Sequence, residues 1–148
     1  MPYYWQFIEE EWKHVPLYGD AQTFLDHWKT LSEPKQHLIA ACWCHSEITN
    51  GGVDQLFDNP TGILVPEGIL AFRVLGLDLW AEILSDAIAR YGGEYPRDRD
   101  DRIRAMIEIA GGDMYTKCFS DLDDRLDLGE CVDFEVAADA YARRTLAG

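Results

Sequence analysis

Long apolar runs are missing from this 148-residue chain; no segment approaches the ~18 apolar residues that a bilayer-spanning helix needs. The opening residues, MPYYWQFIEEEW, lack the basic start and apolar middle of a secretion signal, so a cytoplasmic location is expected. No alternating apolar–polar stretch is long enough to build a sheet. No repeat, low-complexity tract or linker divides the chain. Basic residues are scarce: 13 Lys and Arg face 27 Asp and Glu, a net charge of −14. Such a chain is repelled by nucleic acid and by anionic lipid, so neither is expected as a direct partner. Its complement is a basic protein, although the same acidity also serves solubility.

Several chemical signatures are missing too. No GxxxxGK or GxGxxG is present to cradle phosphate. Cysteines are few, at positions 42, 44, 118 and 131, and without a secretion signal they are expected as reduced thiols. Cys42 and His45 of CWCH can share a helix face, but no second CxxC or HxxxH completes a ligand set. No metal and no cofactor is expected. DLDDRLDLGE lacks the glycine that an EF-hand loop places after alternating acids.

What is present is core-forming material. Hydrophobic residues make up 47% and aromatics 12%, with five Trp, which excludes a disordered chain and suits one domain over residues 1–148. The apolar spacing is helical throughout. Trp5, Ile8 and Trp12 place a helix from Tyr3 to about Val15. Asp20 caps a second, to about Leu31, with Phe24, Leu25 and Trp28 inward. Ser32 caps a third, with Glu33 and Pro34 in its first turn. That helix carries HLIAACWCHSEI, apolar almost all round, as a central helix covered on several sides would be. Pro66 begins another, with Ile69, Leu70, Phe72 and Val74, interrupted at Gly76. Leu77, Trp80, Leu84, Ala87, Ile88 and Tyr91 form one stripe, with Trp80 expected in the core and Gly92-Gly93 as the stop. Arg97 to about Ala110 is helical, with Ile103, Met106 and Ile107 inward. Ser120 caps a short turn with Leu122 and Leu126; Asp133 caps a last helix with Val136, Ala137, Ala140 and Tyr141. The expectation is one all-α domain of seven or eight helices around a central apolar helix.

Between the third and fourth helices stands EITNGGVDQLFDNPTG, residues 47–62. Asn50 is suited to the left-handed conformation that closes a helix, and Gly51 and Gly52 to a sharp reversal. Val53, Leu56 and Phe57 can plug the core, while Gln55 and Asn59 can bond backbone groups freed by the reversal. Glu47 can accept from nearby amides. No nucleophile, base or metal set is fixed beside Glu47, so a structural corner is favoured over a catalytic site.

The pattern E-x-x-N-G-G-x-x-Q-x-x-x-N, carried by Glu47, Asn50, Gly51, Gly52, Gln55 and Asn59, resembles the bacterial DNA-mimic protein family, also catalogued as a domain of unknown function. PEGILAFRVLGLDLWAEILSDAI and FSDLDDRL resemble later segments of that family, over about Ser32 to Leu146. Val53 replaces the family's usual aromatic, and Thr49 its usual Asn. The resemblance implies an all-helical protein without known catalysis, a homodimer, and surface carboxylates that imitate DNA to bind a transcriptional regulator.

The acids are unevenly placed. In YPRDRDDRIR, Asp98 with Arg102 and Asp100 with Arg104 are four apart and can neutralise one another on a solvated face. Residues 105–142 hold ten acids against two bases, Lys117 and Arg125. Asp113, Asp121, Asp123, Asp124, Asp127 and Glu130 form the expected partner-binding surface, with Asp123 and Asp133 also suited to capping. EEE at 9–11 is a smaller cluster. The reading is a non-enzymatic acidic protein that binds a basic partner such as a DNA-binding transcription factor. Two alternatives stand beside it: an acidic adaptor or immunity-type interaction protein, and a small hydrolase-like enzyme using Glu47. A deep pocket joining Glu47 to His45 or His37 would favour the last.

Overall fold

α3, Glu33–Asp58, is the element on which the others are assembled. The computed structural model describes residues 1–127 and 133–147, and among these it has eight α-helices and no strand. A 3-10 turn, Tyr3–Phe7, leads into α1, Glu9–Trp12, and α2, Ala21–Trp28. After α3 a second 3-10 turn, Pro60–Leu64, runs into α4, Val65–Val74. Then come α5, Asp78–Ala89; α6, Arg99–Ile109; α7, Ser120–Asp127; and α8, Phe134–Thr145. The order is all-α, as the periodicity predicts.

α3 is central because it is apolar on every side. His37, Leu38, Ile39, Ala40, Ala41, Cys42, Cys44 and Ile48 are buried along it, and α4, α6, α7 and α8 all pack against it. Each large aliphatic side chain so buried contributes roughly 1.5–3 kcal/mol of transfer free energy. α5 packs on α4 and α7, and α8 on the first 3-10 turn. Two of the expected caps form: Asp20 accepts the Thr23 N–H at 2.8 Å and Asp133 accepts that of Glu135 at 2.9 Å. Ser32 stands at the N-cap of α3 but its side chain makes no capping hydrogen bond, and Ser120 is the first residue of α7 rather than its cap.

Four expectations are corrected. Tyr3 to Val15 is not one helix: its aromatic residues are poor helix formers, and tertiary contacts decide the path. Tyr4 donates its N–H to Asp139 at 2.8 Å and meets Phe134 edge-on, while Trp12 stacks on Trp43 with centroids 4.0 Å apart. Trp80 is only half-buried. Burial on α5 centres on Ala81, Ile83, Leu84 and Ala87, and Trp80 lies at the edge of that face, against Phe72 and His45. On α8 the buried face is Phe134, Ala138, Tyr141 and Ala142, with Val136 exposed.

The fourth correction concerns α6. Arg102 is fully buried, whereas Ile103, Met106 and Ile107 are half-buried. Its guanidinium donates to the carbonyls of Phe57 and Asn59, each at 2.7 Å, and of Arg97 at 2.9 Å. The end of α3 leaves carbonyls without helical partners, and a forked cation satisfies them. Burial pushes the Arg102 pKa down. Asp98 is therefore free of Arg102 and caps α6 through the Asp101 N–H. Arg104 pairs with Asp101 rather than Asp100.

Candidate functional site

Residues 47–62 form a hydrogen-bonded knot around one carboxylate. Glu47 Oε2 accepts from Gln55 Nε2 at 2.8 Å and from Asn59 Nδ2 at 2.9 Å, and Oε1 accepts from the Thr61 hydroxyl at 2.6 Å. Gln55 and Asn59 thus bond the Glu47 side chain, not the backbone as expected. The reason lies in the break. α3 is interrupted at Gly51 and Gly52 but continues to Asp58, which brings Gln55 back beside Glu47.

The two glycines have different tasks. Gly52 has φ 84° and ψ 178°, a region that residues with a Cβ essentially do not occupy. Gly51 has negative φ, but a Cβ there would meet Gln55 Oε1 at 1.7 Å. Gly51 is needed for that close approach. Asn50 does not take a left-handed conformation; among the described residues only glycines have positive φ. It is exposed instead, and lines an open polar hollow with Ser46, Glu47, Thr49, Gln55 and Asn59. Val53, Leu56 and Phe57 are buried beneath the knot.

A deep pocket joining Glu47 to His45 or His37, the feature that would favour an enzyme, is not what surrounds Glu47. His37 shares a 2.6 Å hydrogen bond with the Tyr141 hydroxyl, and His45 stacks on Phe134. Burial pushes both imidazoles below the usual histidine range. Neither lines the hollow at Glu47. Among the described residues no three His, Cys, Asp or Glu side chains come together as a metal site.

The break in α3 is also tied to α7, by two carboxylates used in opposite directions. Asp123 Oδ1 accepts the Val53 N–H at 2.8 Å, at the restart of α3. Asp54 accepts the N–H groups of Cys118 and Phe119, at 2.7 and 3.0 Å, just ahead of α7. Each helix start is capped by the other segment's Asp, which satisfies donors that a helix leaves free. Burial raises the Asp123 pKa; the Val53 bond opposes this and the nearby Asp54 charge adds to it.

The remaining expected partner-binding acids divide by what they touch. Asp121 takes a two-pronged bond from Arg90, at 2.9 and 2.5 Å, which holds its pKa below the usual carboxylate range. Asp113 closes a turn, accepting the Tyr115 N–H at 2.9 Å and the Thr116 hydroxyl at 2.8 Å. The Tyr115 bond leads the lowering of its pKa. Asp124 is exposed on α7. Asp127 ends α7, but its side chain lies outside the described residues, as does Glu130 altogether. Asp121, Asp123 and Asp124 are thus together on one short helix, and Asp113 sits on the loop before it.

Sequence reasoning missed α5 as part of this acidic region. Asp78, Glu82 and Asp86 are exposed and four residues apart, a spacing that puts acids along one helix face. Arg125 of α7 donates to Asp86 at 2.5 Å, while Arg90, at the end of α5, holds Asp121 of α7. The helices are joined by crossed ion pairs.

The sequence model of one protein family, described as DMP19-like protein, matches residues 29–145. The match takes in α3 to α8 and leaves α1 and α2 outside. No curated protein and no solved structure matches the chain.

Proposed function

The chain belongs to the DMP19-like family of DNA-mimic proteins, and from that premise we propose that it is a non-enzymatic acidic protein that binds a basic partner, imitating DNA to sequester a DNA-binding regulator. Its candidate surface is built around the acids of α7 and the loop before it, Asp113, Asp121, Asp123, Asp124 and Asp127, and is extended by Asp78, Glu82 and Asp86 of α5; Glu130, also expected there, lies outside the described residues.

One observation carries this reading: the crossed pairs Arg90–Asp121 and Arg125–Asp86 fasten the two acid-bearing helices to each other. Duplex DNA offers fixed phosphates, one charge per ~1.7 Å of axis. A surface that imitates it must hold carboxylates on a rigid frame, because long mobile side chains lose entropy on binding. Asp78, Glu82 and Asp124 are exposed and carry no ion pair among the described residues. They are available to Lys and Arg that would otherwise hold phosphate. Asp123 belongs to the frame, since its carboxylate already holds α3.

The test is affinity capture from the source lysate at low and high salt. A DNA-binding protein released by salt supports the reading. Capture of only neutral or acidic proteins, indifferent to salt, favours an adaptor whose acidity is for solubility.

A further inference from the structure

A second surface lies at the α6–α7 connection, adjoining the first through Asp113, and charge alone does not account for it. Ile103, Met106 and Ile107 follow one another at helical spacings on α6 and are half-buried. They line a groove of about 160 Å³ together with Met114. A dry cavity of about 150 Å³ accommodates a benzene ring, so the groove takes one large side chain. Asp58, at the end of α3, and Asp113 lie at the groove, and among the described residues no Lys or Arg lines it.

The rim is a built structure. Gly111 and Gly112 close α6, their N–H groups bonded to the carbonyls of Glu108 and Ile107. Asp113 then fixes the turn through Tyr115 and Thr116. The Cys118 thiol, 3.1 Å from the Met106 carbonyl, pins the far end of the loop to α6. This frame holds Met114 and Tyr115 in solvent, 68% and 87% exposed. Large apolar side chains held outward beside an apolar groove mark a contact surface, and a preformed rim avoids the entropy cost of ordering it on binding.

We propose that this groove docks one leucine- or phenylalanine-sized side chain of a partner protein segment that carries Lys or Arg beside that anchor. The apolar anchor supplies affinity as a buried hot spot does. Asp58 and Asp113 supply the preference for a basic flank. A second copy presenting this same face is a poor occupant, because it would set its own Asp58 and Asp113 against these two. The inference goes beyond imitation of DNA: phosphate contacts need no apolar pocket, and the anchor would let the protein choose among basic partners.

The experiment pans a random short-peptide phage library on the full chain. Enriched peptides are then measured by fluorescence polarisation against wild type, Met114→Gln and Asp58→Asn. Both altered side chains are exposed at the surface, and thermal melts confirm that the variants fold. The expected result is peptides with a Leu, Phe or Met next to Lys or Arg. Their affinity falls about tenfold in Met114→Gln, a hot-spot-sized loss, and about threefold in Asp58→Asn. The Met106 and Met114 methyl resonances shift saturably on titration. The proposal is overturned if no peptide is enriched, if the enriched peptides lack an apolar anchor, or if they bind Met114→Gln as tightly as wild type. It is equally overturned if the methyl shifts follow protein concentration alone and sedimentation shows a dimer lost in Met114→Gln, since a second copy then fills the groove.

Discussion

The Asp123 carboxylate lies 2.8 Å from the Val53 amide nitrogen, joining α7 to the break in α3 across 70 residues of sequence. Through this bond a charge in the acidic region is committed to holding the helix that carries the others. Asp123→Ala should remove the cap and lower stability by about 1 kcal/mol, the usual loss for a helix N-cap. Thermal melting checks this. A melting temperature equal to wild type would mean that the bond holds nothing.

Asp121 and Asp123 should titrate in opposite directions although two residues apart. Burial raises the Asp123 pKa in the folded state, so that group adds stability below the usual carboxylate pKa and loses it as pH rises through its own higher value. Arg90 lowers that of Asp121, so its contribution is present above the usual carboxylate pKa and is lost as pH falls through its own lower value. NMR titration of the side-chain carboxyls reads both. Coincident midpoints would contradict the contrast between a half-buried cap and an exposed ion pair.

Gly52→Ala should cost roughly 1–3 kcal/mol, because φ 84° with ψ 178° is closed to a residue with a Cβ. Gly51→Ala should act differently, displacing Gln55 from Glu47 without straining the backbone, at a cost of about 1 kcal/mol. Chemical denaturation separates the two. Equal stability in both variants and wild type would remove the account of the break.

Glu47→Gln keeps the shape of the knot but replaces a charged acceptor of three bonds by a neutral amide. Hydrogen bonds to charged groups are worth about 1.5–3 kcal/mol each, so a loss of about 2 kcal/mol is expected in denaturant unfolding. No loss of stability would return Glu47 to the list of functional candidates.

Arg102→Lys should not rescue the role of Arg102. A lysine ammonium cannot reach three carbonyls from one planar fork, and Arg102→Met should strip this donor from all three, the Asn59 carbonyl keeping the Gly62 N–H, at about 3 kcal/mol. Full stability in either variant would show that the carbonyls find other partners.

The fold was legible where its determinants are local. Asp20 and Asp133 announce helix starts because a cap bonds an amide two or three residues away. HLIAACWCHSEI announces a buried helix because no face of it is polar. The knot was half legible: the residues stand out, but their shared acceptor emerges only once the break returns Gln55 to Glu47. Arg102 was illegible. It sits among acids in sequence, yet its partners are backbone carbonyls, including that of Phe57, 45 residues away, which no side-chain pattern encodes. The cross-capping of Asp54 and Asp123 was hidden for the same reason. The role of α5 was hidden because its acids look like the ordinary polar face of an amphipathic helix.

The most direct test of the central claim is competition with DNA. A captured DNA-binding partner is titrated with this protein in the presence of its duplex over a salt series. Wild type and the variant Asp78→Asn/Glu82→Gln/Asp124→Asn are compared, which leaves the frame residues Asp121 and Asp123 in place. The account predicts that protein and duplex exclude each other. It also predicts binding that weakens steeply with salt, since screening shortens electrostatic reach to about 8 Å at physiological ionic strength, and a variant that binds more weakly with a shallower salt dependence. A ternary complex of partner, duplex and this protein, or a variant that binds as tightly as wild type at every salt concentration, would contradict it.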